Sequence, residues 1–193
     1  MSGEVFRSVG QALHVSFLLE VLPVTQRVST QVLIDGLRKR CGVWDDSQRS
    51  ERSVDFGGLT PLEVRGQCAM VRAAVVDHLT EPERHAVMAR FGHQGTKASG
   101  VRGIADYVEP MAHLQHAGAL LAVTWSLFQP AKRAADRWSL RAIEAETGVS
   151  KSALSRAQIA IRQTAQALER RADVRLAELF ERTGLVAREF ENA

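Results

Sequence analysis

Between Trp138 and Arg171 two runs of helical periodicity meet at one glycine (WSLRAIEAETGVSKSALSRAQIAIRQTAQALERR), and this stretch constrains the fold more than any other. Ser139 can cap a short helix through Thr147 that turns Leu140 and Ile143 inward. Gly148 then stands where a helix ends in left-handed backbone, a conformation that a residue without a Cβ adopts at little cost. Val149 is expected to plug the angle between the helices. Ser150 is expected to cap the second one, whose inward positions are Leu154, Ala157, Ile161, Ala165 and Leu168. The stretch thus asks for two helices and a sharp turn.

The same register places Lys151, Ser152, Ser155 and Arg156 outward at the start of the second helix. These are short or cationic hydrogen-bonding side chains. Lys and Arg can donate to guanine O6 and N7, and Ser can adapt to a base or a phosphate, so these four are the candidate base contacts. Ser139, Arg141 and Ser150, with Lys132 and Arg133 just ahead of the motif, are the candidate contacts to the DNA backbone, since helix N-termini also favour phosphate. Charge placement agrees. Residues 130–175 hold ten basic and five acidic residues, whereas residues 1–129 hold thirteen of each. The final eighteen residues are acidic, with four carboxylates against two cations.

Residues 139–159, with the Gly148-Val149-Ser150 turn and the Leu154-Ser155-Arg156 run, resemble a helix-turn-helix of bacterial and phage regulators. The continuation through Ile161 and Leu168 is similar to region four of bacterial sigma factors, and Leu79 to Phe91 (LTEPERHAVMARF) resembles the first part of that region. Phage antiterminators of the Q type share this architecture. The resemblance implies an all-α fold, a helical bundle with a C-terminal helix-turn-helix of sigma region-four type. It further implies a non-enzymatic, sequence-specific regulator of transcription that binds double-stranded DNA, with RNA polymerase as a protein partner. Glu144 departs from the pattern, because such motifs carry a small residue after the first inward Ile. Its side chain is expected to point outward or to tilt the helices. The alternative is a helical assembly or interaction module, such as a phage DNA-packaging subunit.

The rest of the chain also reads as helical. It is built mostly on Ala, Leu, Val, Arg and Glu, with aromatics at 6% and a single Tyr, Tyr107. A helix is expected from Val5 to Leu22, apolar over most of its circumference and hence buried in the fold or against a second copy, which would make a homodimer. A second is expected from Thr30 to Arg40, followed by an aperiodic polar loop from Asp45 to Gly58. Thr60-Pro61-Leu62-Glu63 and Thr80-Glu81-Pro82-Glu83 are two successive helix-start signals, for helices running to Leu79 and to Gly92. Gly92 to Gly103, with four glycines among small polar residues, reads as a mobile loop, and a helix starting at Ile104 or Pro110 reads through to Phe128. Segment boundaries are drawn at 1–58, 59–129 and 130–193.

Other chemistry finds little support. His113 and His116, or Cys41 and Cys68 with His78 and His85, lack the tightly spaced Cys pairs of structural zinc sites, so no metal or other cofactor is expected. The Gly92–Gly103 stretch lacks the Gly-Lys-Ser/Thr ending of a phosphate loop. Glu144 and Glu146 are paired carboxylates without an implied cleft, so no catalytic residue is assigned. Arg65, Arg72, Arg84 and Arg90 are expected on a solvated face with local partners such as Glu63, Asp77 and Glu83. No apolar run reaches the roughly 18 residues of a membrane span. With no leader pattern and two cysteines, the expected location is the cytoplasm with reduced thiols.

Overall fold

A computed structural model describes residues 6–22, 59–129 and 138–186. Seven α-helices lie among them: α1 (Val9–Glu20), α2 (Pro61–His78), α3 (Glu81–Phe91), α4 (Gln94–Ala112), α5 (Ala117–Phe128), α6 (Leu140–Thr147) and α7 (Lys151–Thr183). The fold is all-α, and among the described residues the only extended pairing is a single bridge between Phe6 and Val186. The helix expected at Thr30–Arg40, the loop at Asp45–Gly58 and the pair Lys132 and Arg133 lie outside the described residues. Among those described, no helix is long and apolar enough to cross a membrane.

The chain divides into two compact units, Met1–His78 with Asp173–Ala193, and Leu79–Ala172. In the first unit, α1 starts at Val9 and not at Val5, because the Ser8 side chain accepts the Gln11 N–H at 3.2 Å and caps it there. It buries Val9, Ala12, Leu13, Phe17, Leu18 and Leu19. Helix α2 starts where the first Thr-Pro signal puts it. Thr60 and Glu63 form the reciprocal box, Glu63 N–H to Thr60 Oγ1 at 3.3 Å and Thr60 N–H to Glu63 Oε2 at 2.7 Å. Its buried stripe is Val64, Cys68, Val71 and Val75, and burial pushes the Cys68 thiol up.

Two arginines were misassigned by sequence. Arg65 donates to the carbonyls of Leu19 and Leu22, the latter at 2.8 Å, and Arg72 to that of Ser16 at 2.6 Å. Both are half-buried and reach backbone of the α1 segment. Their acceptors are carbonyls of the last turn of α1 and the residues just after it, where a guanidinium meets the negative end of the helix dipole.

The second unit contains the larger correction. The Gly92–Gly103 stretch is not a loop, since α4 begins at Gln94. The reason is tertiary. A Cβ at Gly100 would lie 2.4 Å from the Ala89 nitrogen, and one at Gly103 would lie 2.0 Å from His85 Nδ1. The glycines are the surface on which α4 runs back along α3, bringing the backbones closer than any side chain permits. Lys97 fixes the start of α4 by donating to the Ala89 carbonyl at 2.8 Å, and burial lowers its pKa. The expected single helix to Phe128 is also broken. His113 turns left-handed at φ 48°, and His116 restarts the chain as the cap of α5, its Nδ1 accepting the Ala119 N–H at 3.0 Å. Val101, Ile104, Val108, Leu120 and Val123 then form one core with Ile143, Leu154, Ala157, Ile161 and Leu168.

Candidate nucleic-acid interface

That shared core holds α6 and α7 in place. Ile143 from α6 and Leu154, Ala157 and Ile161 from α7 are buried, with Leu140, Val149 and Ala153 packed against them. Ala165 and Leu168 continue the buried stripe. Every position that periodicity turned inward is buried or half-buried. Between the helices Gly148 adopts φ 70°, ψ 3°, and its N–H closes on the Glu144 carbonyl at 2.9 Å. No atom lies within 4 Å of the place a Cβ would take there, so the glycine serves the backbone angle and not a close contact.

The caps are local. Ser139 Oγ accepts the Ala142 N–H at 3.2 Å, and Ser150 Oγ accepts the Ala153 N–H at 3.4 Å while lying 3.3 Å from Ser152 Oγ. Both hydroxyls named for backbone contact therefore already serve a helix end, though each keeps an O–H to donate. Lys151, Ser152 and Arg156 are exposed, Ser155 is half-exposed, and Arg141 is exposed on α6. Arg141, Lys151, Arg156 and Arg162 form no ion pair among the described residues. The cations farther along α7 are engaged differently: Arg171 Nε lies 4.0 Å from Glu83 Oε1, and Arg170 donates to the Gln166 carbonyl at 3.3 Å. Glu169 is paired with Arg90. Burial pushes the Glu169 carboxyl up, and the guanidinium opposes that.

Glu144 solves its placement by a route that sequence did not suggest. Its Oε1 accepts the Lys151 N–H at 2.8 Å, spanning the turn and capping α7 from α6. A carboxylate at the positive end of a helix is favourable, and it occupies ground that an incoming phosphate would otherwise take. The spacing of Glu144 and Lys151 was visible, but only the bend at Gly148 brings them together. Sequence reading also passed over Ile159, which lies exposed on the same face of α7 as Ser152, Ser155 and Arg156.

The arrangement offers an exposed, cationic, hydrogen-bonding helix end on a rigid base. Among the described residues, no group of three His, Cys, Asp or Glu is placed to hold a metal ion. No protein-family model matches the chain, and no curated protein matches its sequence.

Proposed function

We propose that this chain is a sequence-specific double-stranded DNA-binding protein that regulates transcription, with α6 and α7 acting as a helix-turn-helix and the first turns of α7 entering the major groove. One observation carries the reading. Lys151, Ser152 and Arg156 stand exposed on the first two turns of a helix whose opposite face is locked into the core by Leu154, Ala157 and Ile161. A reading helix needs both properties, donors free to meet base edges and a base that fixes their direction. In this scheme Arg156 and Lys151 address guanine, and Ser152 and Ser155 adapt to either base. Arg141, with Lys132 and Arg133, holds the phosphates. The resemblance to sigma region four and to Q-type antiterminators extends the proposal to RNA polymerase as a partner, and it supports no enzymatic step.

The deciding experiment is selection of bound duplexes from random DNA at stated salt. A defined sequence should emerge. Its affinity should fall with a log–log salt slope of about −3 to −4.5 for a monomer that neutralises roughly 3–5 phosphates, and about twice that for a two-fold dimer. A slope near zero would place DNA elsewhere or nowhere. A second reading, a helical interaction or assembly subunit such as a phage packaging component, draws on Leu62, Met70 and Val76, which lie exposed on α2. It requires a ring or higher oligomer, which a light-scattering mass would reveal.

A further inference from the structure

Between Lys151 and Gln163 the outward face of α7 is polar or cationic at Lys151, Ser152, Ser155, Arg156, Arg162 and Gln163, with one exception at Ile159. Ile159 is 53% exposed, while Ile161, two residues on, is fully buried in the core. Packing therefore does not account for an isoleucine at this position. A β-branched residue on an exposed helix face also forgoes the better helix propensity of Ala, Lys or Gln. Isolated exposed apolar residues are common on proteins. What sets Ile159 apart is its register, one turn beyond Ser155 and Arg156, in a stretch of face from Lys151 to Gln163 whose other exposed members are all hydrogen-bonding.

Reach adds a second argument. At 1.5 Å per residue, Ile159 lies about 12 Å along the helix from Lys151, which is about the width of the major groove of B-DNA. Arg162 and Gln163 lie about 17–18 Å along, at the distance of the far phosphate wall. With α7 docked as proposed above, Ile159 is the last residue of this face to lie over base edges. Of the groups those edges present, one is apolar, the C5-methyl of a pyrimidine.

We infer that Ile159 is a specificity-determining residue that selects a pyrimidine C5-methyl group in the DNA site, through apolar contact one turn beyond Arg156. The inference rests on the DNA-binding reading above and deepens it. Thymine and 5-methylcytosine both carry the group, and they are separated by the probes.

The test uses the full chain and the best duplex from selection, titrated by fluorescence anisotropy at fixed salt. Each thymine is replaced singly by deoxyuridine, which deletes only the methyl. One such replacement should weaken binding about fourfold, the worth of one methyl removed from water. Ile159→Ala should lose a similar factor on the thymine duplex and become indifferent to that replacement, with its helical circular dichroism unchanged. At the same position, 5-methylcytosine should bind better than cytosine by a similar factor if the methyl alone is read. Equal binding would confine the contact to thymine in its own base pair. Specific binding with no position sensitive to methyl loss, or with the same sensitivity in Ile159→Ala, would overturn the inference and leave the DNA reading standing. Absence of specific binding by the unmodified chain would overturn both.

Discussion

The α3–α4 turn and the α6–α7 turn lie in the same compact unit, and they treat their polar groups in opposite ways. In α3–α4, Glu83 caps Thr80, Arg90 meets Glu169, and Lys97 closes on the Ala89 carbonyl. In α6–α7 the caps are satisfied by Ser139, Ser150 and Glu144, and the cations Arg141, Lys151 and Arg156 are left facing outward. Glycine divides the same way. Gly100 and Gly103 are required because another backbone or ring occupies the space of a Cβ, whereas Gly148 stands in open space and is required for its positive φ. The first pair is built to be a foundation. The second is built to present side chains, and the difference lies in which donors find partners inside the protein.

The contrast breaks most sharply at Gly100. Gly→Ala in a helix interior normally gains up to about 1 kcal/mol. Here the new Cβ would meet backbone at 2.4 Å, so Gly100→Ala should cost about 1–3 kcal/mol or more by urea denaturation. A gain in stability would mean that α3 and α4 are not in close contact. Next comes Arg156→Ala, which should lower affinity for a selected DNA site by roughly 1–3 kcal/mol with no change in the denaturation midpoint. Unchanged affinity would remove that face of α7 from the interface.

A smaller effect is expected at Arg90. Burial already raises the Glu169 pKa above 4.5, and Arg90→Met removes the charge that opposes the rise. A carboxylate whose pKa is raised in the folded state contributes stability below its unfolded value and loses it as pH rises through the folded one. The variant should therefore be less stable at neutral pH by about 1 kcal/mol, a figure kept low because the guanidinium is largely solvated. That deficit should shrink as pH falls toward 4.5. A deficit that grows on acidification would contradict the pairing. The smallest change belongs to Glu144→Gln. Losing a carboxylate at the start of α7 should cost a few tenths of a kcal/mol in stability and strengthen DNA binding a few-fold at low salt. Weaker binding would assign Glu144 a direct role in base contact.

The sequence by itself determined the helix starts and stops that depend on neighbours within one turn. The boxes at Thr60–Glu63 and Thr80–Glu83, the cap at Ser139, the bend at Gly148 and the inward stripe of α7 were all legible for that reason. Tertiary structure decided the features whose partners are distant in the chain. Gly100 and Gly103 sit in a helix because α3 lies against them, Arg65 and Arg72 reach back to carbonyls of the α1 segment, and the break at His113 is set by how α4 and α5 share one core. Local signals reveal which backbone conformation a residue favours by itself. Whether a small residue is a flexible joint or a contact surface, and whether an arginine faces water or a carbonyl, depends on the other side of the interface.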